Sequence, residues 1–374
     1  MPKICFVLPT HWSRWSGGAE YQVRLLMDHL LATRPDWEFY YLCRYAVPDP
    51  LDPVRVVQVG KATLFGRFGR PLFMDGRQML QQLRRIQPDL IYQRDAGAYT
   101  GIAARYCQES SCRMVWHVAC EIDLLPFKPV FKKSLPFLWI NHRLMAYGIR
   151  KSHAVIGQAH YQNTLLQQNY GRSCAAVIDN FHPVGESSCE KISDPLIVVW
   201  VANFKTVKRP ELFVELARRF QKNTNVKFLM IGRVQKIVGG ADVKVLAEGI
   251  VNLELTGELS QESVNGILDR ADILVNTSLH EGFANTFIQA WLRLVPVLSL
   301  DVDPDQVLER EKIGFCTKTM ERLVDKLQLL LDNVGLRQEM GQRARRYAIQ
   351  NHSLANAEKI VAIMEQQLAH LSER

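Results

Sequence analysis

Residues 279–291 read LHEGFANTFIQAW and join a short apolar run to a helical pattern. The run before them, residues 273–276, is continuously apolar up to its last residue, as a buried strand is. Pro296 stops the helical pattern, and a further apolar run begins at residue 297. The side chains with the spacing of one buried helix face are Phe287, Ala290, Trp291 and Leu294. The segment therefore predicts a strand, a turn that contains Glu281, and a helix.

The predicted turn has the backbone chemistry of an anion site. A small residue lies on each side of Phe283, and the helix begins with the polar pair Asn285 and Thr286. Backbone N–H groups at a helix start have no partner within the helix, and the helix dipole favours negative charge there. A phosphate could bind at such a turn. An ordinary strand-to-helix turn with a surface glutamate is the alternative that geometry alone leaves open.

The segment resembles the signature of retaining, nucleotide-sugar-dependent glycosyltransferases of the two-Rossmann (GT-B) type, family 4, also called glycosyl transferases group 1. That signature is Glu-Gly-Phe-small, with a second Glu eight positions after the first. Here the first acid is Glu281, and Gln289 stands in the second position. The resemblance implies that Glu281 lies by the donor sugar, that the turn binds the diphosphate, and that Gln289 contacts the ribose hydroxyls without charge assistance. It assigns to the donor Glu281, Gly282, Phe283, Ala284, Asn285, Thr286 and Gln289.

The rest of the chain alternates strand-like and helix-like runs, which predicts doubly wound parallel sheets. Strands are predicted at residues 3–9, 38–42, 55–59, 89–93, 114–118, 153–156, 196–202, 226–231 and 252–256. Helices are predicted at residues 18–32, 73–86, 97–107, 131–150, 161–169, 210–221, 260–270 and 354–371, with Ser260 as an N-cap. We therefore expect an α/β protein with two Rossmann-like domains, which in the GT-B fold face each other across a cleft.

The polar segment 180–195 carries no periodicity and separates the two alternations. It predicts an N-terminal acceptor domain at 1–180, a linker at 181–195 and a C-terminal donor domain at 196–352. The resemblance implies that the C-terminal helix, 353–374, packs back on the first domain.

Three further places match the family pattern. Gly17 and Gly18 follow the first strand and open the first helix, where glycine lets a ligand approach the backbone closely, although such a pair is more often only a turn. Lys208 stands where the family has a lysine for the diphosphate, and Asn203 stands where it usually has an arginine, so Arg209, Lys205 or Arg233 would have to substitute. Gly257 and Leu259 lie in a turn that contacts the nucleotide base in the family.

His117 ends a predicted strand, where a switch-point crevice would place it. A lone histidine there is more often structural, but the family has a histidine beside the donor sugar. Glu121 and Asp123 could orient His117 or contact the acceptor. The catalytic candidates are therefore Glu281, His117 and Lys208.

Composition and charge narrow the function classes. The 374 residues are 47% hydrophobic and 22% charged, without a bilayer-length apolar run or a signal peptide. The eight cysteines lack zinc spacing, so we expect a reduced, cytosolic and metal-free protein without a cofactor. The net charge of +8 is concentrated in the first half: residues 124–178 contain seven Lys/Arg and no acid, and residues 54–87 contain seven Lys/Arg and only Asp75. This excess predicts an anionic partner.

Residues 131–140 interleave basic and large apolar side chains. They predict either a core helix with solvated lysines or an amphipathic surface on anionic lipid at the inner face of the plasma membrane. Residues 12–15, with two tryptophans, could join that surface or stack on a sugar. Nucleic acid is not expected as a partner, because no nucleic-acid-binding module is recognisable.

The expected function is retaining transfer of a sugar from a UDP- or GDP-linked donor to a cell-envelope glycan or lipid-linked acceptor. In the family the departing phosphate accepts the acceptor's proton. Two alternatives remain: an epimerase or phosphorylase on the same scaffold, and a non-catalytic protein that binds a sugar or a partner, which the changes at Asn203 and Gln289 would fit.

Overall fold

The computed structural model describes residues 1–14, 17–47, 49, 53–60, 71–126, 135–185, 194–233 and 242–372. It divides into two units, Met1–Asn180 with Ala355–Arg374, and Phe181–Leu354. Parts of four sequence predictions lie outside the described residues: the tryptophan of segment 12–15 at position 15, the first four residues of the helix at 131–150, positions 186–193 of the linker, and the lysines at 128, 132 and 133.

The first unit contains a parallel sheet of seven strands with helices between them. The strands are β1 (Lys3–Val7), β2 (Glu38–Cys43), β3 (Arg55–Gln58), β4 (Leu90–Arg94), β5 (Arg113–His117), β6 (Ala154–Gly157) and β7 (Ala176–Val177). The helices are α1 (Gly18–Thr33), α2 (Gly76–Ile86), α3 (Ala98–Gln108), α4 (Leu135–Lys151) and α5 (His160–Tyr170). The strand order β3-β2-β1-β4-β5-β6-β7 reverses between β1 and β4. Ligands of doubly wound sheets bind at that reversal, at the carboxyl ends of the strands.

The second unit repeats this order with six strands. They are β8 (Leu196–Val201), β9 (Val226–Ile231), β10 (Leu253–Gly257), β11 (Ile273–Asn276), β12 (Val297–Ser299) and β13 (Gly314–Cys316), arranged β10-β9-β8-β11-β12-β13. The helices are α6 (Pro210–Arg219), α7 (Val243–Ala247), α8 (Gln261–Arg270), α9 (Asn285–Trp291), α10 (Val307–Arg310), α11 (Met320–Asp332) and α12 (Val334–Asn351). The predicted doubly wound α/β class is confirmed in both units.

The last helix, α13 (Ala355–Ser372), belongs to the first unit. Its apolar residues Ile360, Val361 and Met364 are fully buried. Its polar residues bond to other parts of the first unit, as in the 2.8 Å contact of Arg34 Nε with Glu365.

Two predicted helix bounds need correction. The helix predicted to begin at Asn285 was expected to include Leu294, but α9 ends at Trp291 and Leu294 has a φ of +61°. Pro296 restricts the residue before it to extended backbone, so the chain must leave the helix earlier; Val295 N donates instead to Ala290 O at 2.9 Å. The helix predicted at 73–86 is likewise divided into a 3₁₀ turn, Leu72–Asp75, and α2.

In the described residues no helix is both long and apolar enough to cross a membrane.

Candidate functional site

The candidate site of the second unit lies where the sheet order reverses, between β8 and β11. The segments that follow these neighbouring strands leave from the same edge of the sheet, because the strands are parallel. They are joined by a hydrogen bond from Leu279 N to Val207 O at 2.9 Å. Lys208 and Glu281, which are far apart in sequence, are thereby brought together.

Lys208 and Glu281 form an ion pair between Nζ and Oε1. Their side chains keep 21% and 15% of their surface exposed, so neither charge is sealed in the core. An anion that reaches this place can attract the ammonium of Lys208, and a hydroxyl can donate to the carboxylate of Glu281. The pair therefore offers a phosphate group and a sugar hydroxyl one partner each.

Arg209, next to Lys208, is held by contacts to other residues of the second unit. Its guanidinium donates from Nε to Thr277 O at 2.7 Å and pairs with Asp301. Its backbone is left-handed, with φ of +46°, and directly precedes the first residue of α6. Of the three cations that could substitute for the missing arginine, Arg209 has its guanidinium engaged by these contacts.

Thr277 completes this connection between the two segments. Its Oγ1 accepts from Trp200 Nε1 at 2.9 Å and lies 2.7 Å from the carbonyl oxygen of Lys208, to which it can donate. Sequence reasoning missed Thr277, Trp200 and Asp301. The available signal was their position at strand ends next to the predicted site.

The turn before α9 is held by the core beneath it. Phe283 is 5% exposed, and its ring lies 4.6 Å from that of His352. Gly282 and Ala284 are also buried, whereas Thr286 is half-buried. The side chain of Phe283 therefore anchors the turn, and the backbone around it is what the turn can offer to a ligand.

Asn285 begins α9 and bonds to a neutral histidine. His182 Nε2 lies 3.3 Å from Asn285 Oδ1. Burial lowers the pKa of His182 to about 3, so the imidazole is uncharged at neutral pH. Gln289 lies on the same helix at 4% exposure, and its contact with a ribose stays a prediction.

The ends of β8, β9 and β10 approach closely at the same edge. A Cβ at Gly232 would lie 1.8 Å from Ala202 O, so only glycine fits there. Gly232 N donates to Gly257 O at 2.9 Å, and Gly257 has a φ of +77°. Half-buried Leu259 follows this strand end.

Asn203 lies beside this strand edge, half-buried. The next residue, Phe204, bonds through its N–H to Arg233 O at 3.0 Å. Arg233 is 31% exposed, with Glu258 3.9 Å away, and its substitution for the missing arginine stays a prediction.

In the first unit His117 is the last residue of β5, as its expected place required. It is 1% exposed and bonds through Nδ1 to Tyr92 and Arg94, at 2.6 and 3.3 Å. Burial, and next the charge of Arg94, lower the pKa of His117. The orienting groups are thus Tyr92 and Arg94, which sequence reasoning missed.

Asp123 bonds to backbone N–H groups of its own loop, and its contact with the acceptor stays a prediction. Its Oδ2 accepts from the backbone N–H groups of Ala119 and Cys120, at 3.1 and 2.9 Å, and so shapes the loop after β5. Burial, and next the charge of Asp95, raise its pKa to about 7. Glu121, in the same loop, is half-buried.

Gly17 and Gly18 lie at the start of α1, with Gly17 as its N-cap. A Cβ at Gly17 would lie 2.5 Å from Glu20 Oε2. Trp12 packs on His11 and Tyr41, with ring centroids 3.9 and 5.1 Å apart.

Solved structures resemble the whole of this chain. Sucrose-phosphate synthase from Thermosynechococcus elongatus aligns with a TM-score of 0.76 and 15% identity, over 99% of this chain and 100% of that one. Anabaena HepE in complex with UDP and glucose aligns with a TM-score of 0.75 and 16% identity, over 98% and 100%. WaaG, a glycosyltransferase involved in lipopolysaccharide biosynthesis, aligns with a TM-score of 0.72 and 13% identity, over 96% and 99%. The chain has the fold of GT-B glycosyltransferases.

The sequence comparison identifies the second unit more closely. Residues 187–347 match the sequence model of the family described as glycosyl transferases group 1. Glycosyltransferase 1 domain-containing protein 1 of Xenopus tropicalis is 28% identical over 159 residues, which are 42% of this chain and 46% of that protein. The match to this family lies within the second unit and covers less than half of the whole chain.

Proposed function

We propose that this protein is a retaining glycosyltransferase that transfers a hexose from a UDP- or GDP-linked donor to a cell-envelope glycan or a lipid-linked acceptor. The observation that carries the proposal is the partly exposed ion pair of Lys208 and Glu281 at the switch point of the group 1 domain. Cation and carboxylate together match a ligand that carries both a diphosphate and sugar hydroxyls.

Lys208 supplies the charge for the leaving group. When the bond between sugar and diphosphate breaks, negative charge grows on the phosphate oxygens, and a cation already in place stabilises that charge without reorganisation. The exchange of Glu281 for phosphate as the partner of Lys208 keeps the ammonium paired. The reaction needs no bound metal in this proposal, because Lys208 and backbone N–H groups take its place.

Glu281 is released when Lys208 turns to the diphosphate. Its carboxylate then accepts hydrogen bonds from hydroxyls of the donor sugar and fixes the sugar for attack. The departing phosphate takes the proton of the acceptor hydroxyl, so the new bond forms on the side that the phosphate leaves. Retention of configuration follows from this same-side attack.

Two of the structural relatives support the donor class and the acceptor class. HepE was solved with UDP and glucose, and WaaG takes part in lipopolysaccharide biosynthesis. With this chain they share the fold at low identity, so the nucleotide, the sugar and the acceptor must be found by experiment.

The first unit offers a surface for an anionic, lipid-linked acceptor. Near the start of α4, Phe137, Leu138 and Trp139 are 47%, 45% and 48% exposed. The Arg143 guanidinium lies 4.7 Å from the centre of the Trp139 ring. Aromatic side chains beside cations are typical of surfaces that rest on anionic lipid. We propose that this surface gives the cytoplasmic protein a peripheral place on the membrane.

Turnover with a panel of nucleotide sugars tests the proposal. Release of the nucleoside diphosphate is measured for the wild type and for Glu281→Gln, with Glu254→Gln as the control. Glu254 also pairs with a lysine, Lys227, at 2.7 Å, but on the surface of the same unit at 53% exposure. We expect Glu281→Gln to remove turnover and Glu254→Gln to preserve it.

The outcome also separates the alternatives. Proton NMR of the product gives the configuration of the new bond, and inversion would contradict the retaining mechanism. Turnover of a sugar phosphate without nucleotide would favour a phosphorylase, and an altered donor sugar without transfer would favour an epimerase. Nucleotide binding without any turnover would favour a non-catalytic protein.

A further inference from the structure

A buried polar group lies at the carboxyl ends of β4 and β5 in the first unit. Arg94 is the register partner of His117, and Tyr92, two residues earlier on β4, points to the same face of the sheet. Tyr92, Arg94 and His117 are 0%, 2% and 1% exposed. Three polar side chains are thus buried together at this strand end.

The contacts of His117 Nδ1 determine its protonation. A guanidinium can only donate hydrogen bonds, so the Nδ1 atom that faces Arg94 Nη1 at 3.3 Å must be an acceptor without a proton. The Tyr92 hydroxyl, 2.6 Å from the same atom, then also donates to it, so that the two donors share the one lone pair of Nδ1. The one proton of a neutral imidazole must lie on Nε2.

Nε2 of His117 is buried and has no hydrogen-bond partner in the described part of the chain. A buried N–H without an acceptor costs free energy, roughly 1–3 kcal/mol. Such a group at a strand end that faces a ligand-binding edge is explained when a ligand supplies the acceptor.

Arg94 is itself fixed from another side. Its Nη2 donates to Asn180 Oδ1 at 2.5 Å, and Asn180 is the last residue of the first stretch of this unit. The acids whose charges act on Arg94 are Asp123, after β5, and Glu20, on α1. The guanidinium therefore keeps one orientation while it contacts His117.

We infer that Arg94 is a positioning residue: by donating to Nδ1 it holds His117 as the neutral imidazole with its proton on Nε2. In the proposed function, where the family resemblance puts this histidine beside the donor sugar, His117 is then a permanent hydrogen-bond donor to a sugar hydroxyl, and it does not take up or release a proton during the reaction. The sugar part of this inference rests on the proposed function, and the part about Arg94 does not.

NMR of the full chain with ¹⁵N-labelled histidine tests the inference without any ligand. The His117 signals are assigned by their loss in His117→Gln. In the wild type we expect a protonated Nε2, an unprotonated Nδ1 and no titration from about pH 5.5 to about pH 8.5. A protonated Nδ1, or a charged ring at neutral pH, would overturn the inference.

The Arg94→Met variant removes the donor and the charge. We expect Nδ1 to become partly protonated, because the Tyr92 hydroxyl can then accept from it, and the pKa of His117 to rise towards its ordinary value of about 6.5. Arg113→Met is the matched control, since Arg113 lies on β5 and donates to an amide, Gln367, at 3.0 Å. Identical His117 spectra in Arg94→Met and the wild type would contradict the inference.

A second variant keeps the test valid if Arg94→Met does not fold. In Tyr92→Phe the hydroxyl is lost while Arg94 stays, so the proton should remain on Nε2. A shift of the proton to Nδ1 in this variant would assign the tautomer to Tyr92 and overturn the role of Arg94.

Titration with UDP and with UDP-glucose tests the sugar contact. We expect UDP-glucose, and not UDP, to shift the Nε2 proton signal of His117. Binding of UDP-glucose without that shift would refute the sugar contact alone. If no nucleotide sugar of the panel binds, the proposed function and the sugar contact fail together, and the spectra of the ligand-free variants still decide the role of Arg94.

Discussion

The two units share a strand order but differ in the chemistry at their switch-point edges. In the second unit the charged pair Lys208 and Glu281 keeps 21% and 15% of its surface exposed. In the first unit His117 and Arg94 are 1% and 2% exposed, and the histidine is held neutral. One edge carries charges that can exchange partners, and the other carries a fixed dipolar donor.

This difference suits the two kinds of ligand group in the proposed function, a diphosphate at one edge and a sugar hydroxyl at the other. A diphosphate needs a cation that can leave its resting partner, which requires some solvent access. A sugar hydroxyl needs a directed hydrogen bond of one polarity, which is best provided by a buried group with a single protonation state. In the proposed function the topology locates both edges, and burial decides which task each performs.

The largest effect is expected for Lys208→Met in the second unit. Loss of the cation should reduce turnover about 10²- to 10³-fold, or about 2.7–4 kcal/mol, because the leaving group loses its stabilisation. Steady-state kinetics with the best donor of the panel measures it. Lys227→Met, which breaks a surface pair with Glu254, should leave turnover unchanged. Equal losses of turnover in Lys208→Met and Lys227→Met would show that Lys208 contributes no more to the reaction than a surface lysine does.

Lowering the pH should change the stability contributed by one buried group in each unit, His182 and Asp123, with opposite signs. His182 has a folded-state pKa of about 3, below its unfolded value of about 6.5, so the unfolded chain binds the extra proton between these values. The free energy of unfolding should therefore decrease as the pH is lowered through this window, by about 1.4 kcal/mol per pH unit from this group. The free energy of unfolding, measured with urea from about pH 6.5 to about pH 4.5, should depend less steeply on pH in His182→Gln than in the wild type.

The opposite sign is expected for Asp123 in the first unit. Its raised pKa, about 7, means that between about pH 4 and about pH 7 the folded chain holds a proton that the unfolded chain has released. The free energy of unfolding contributed by Asp123 therefore falls as pH rises from about 4 to about 7, and Asp123→Asn should remove that loss. If His182→Gln and Asp123→Asn changed the pH dependence of the free energy of unfolding in the same direction, the charge states assigned to these two groups would be wrong.

A smaller effect is expected at Gln289. If it contacts the ribose, Gln289→Glu adds a charge-assisted hydrogen bond and should tighten UDP binding about tenfold, or about 1.4 kcal/mol. Isothermal titration calorimetry with UDP and with 2′-deoxy-UDP measures it. The gain should be smaller for 2′-deoxy-UDP, and an equal gain for both would show that residue 289 does not bind the 2′-hydroxyl.

The smallest effect concerns the exposed surface of the first unit. Arg143→Gln should weaken binding to vesicles with anionic lipid about fivefold, or about 1 kcal/mol, and added salt should weaken it further. Arg24→Gln is the control, because Arg24 is equally in the first unit but pairs with Asp28 on α1. Salt-insensitive binding to neutral vesicles, without preference for anionic ones, would contradict the proposed membrane surface.

Much of this architecture follows from sequence patterns. Buried parallel strands are continuous apolar runs, as residues 273–276 are, so the alternation and the class of both sheets could be predicted. The switch-point rule then brings Lys208 and Glu281 together, because each follows a strand on one side of the reversal.

The contacts of side chains could not be predicted in the same way. Tyr92, Arg94 and His117 meet because of a register between β4 and β5 that no local pattern specifies. The anchoring role of Arg209 depends on its left-handed backbone, and a sequence motif does not distinguish an anchored cation from an available one.

The most direct test of the central claim is the melting temperature in the presence of UDP, GDP, ADP and their common sugar conjugates. At 100 times its dissociation constant, a ligand should stabilise the protein by about 2.7 kcal/mol, a shift of a few degrees. We predict that one nucleoside diphosphate and its sugar conjugate raise the melting temperature of the wild type, and that Lys208→Met loses most of this rise. No shift with any compound, or an undiminished shift in Lys208→Met, would contradict a diphosphate site at Lys208.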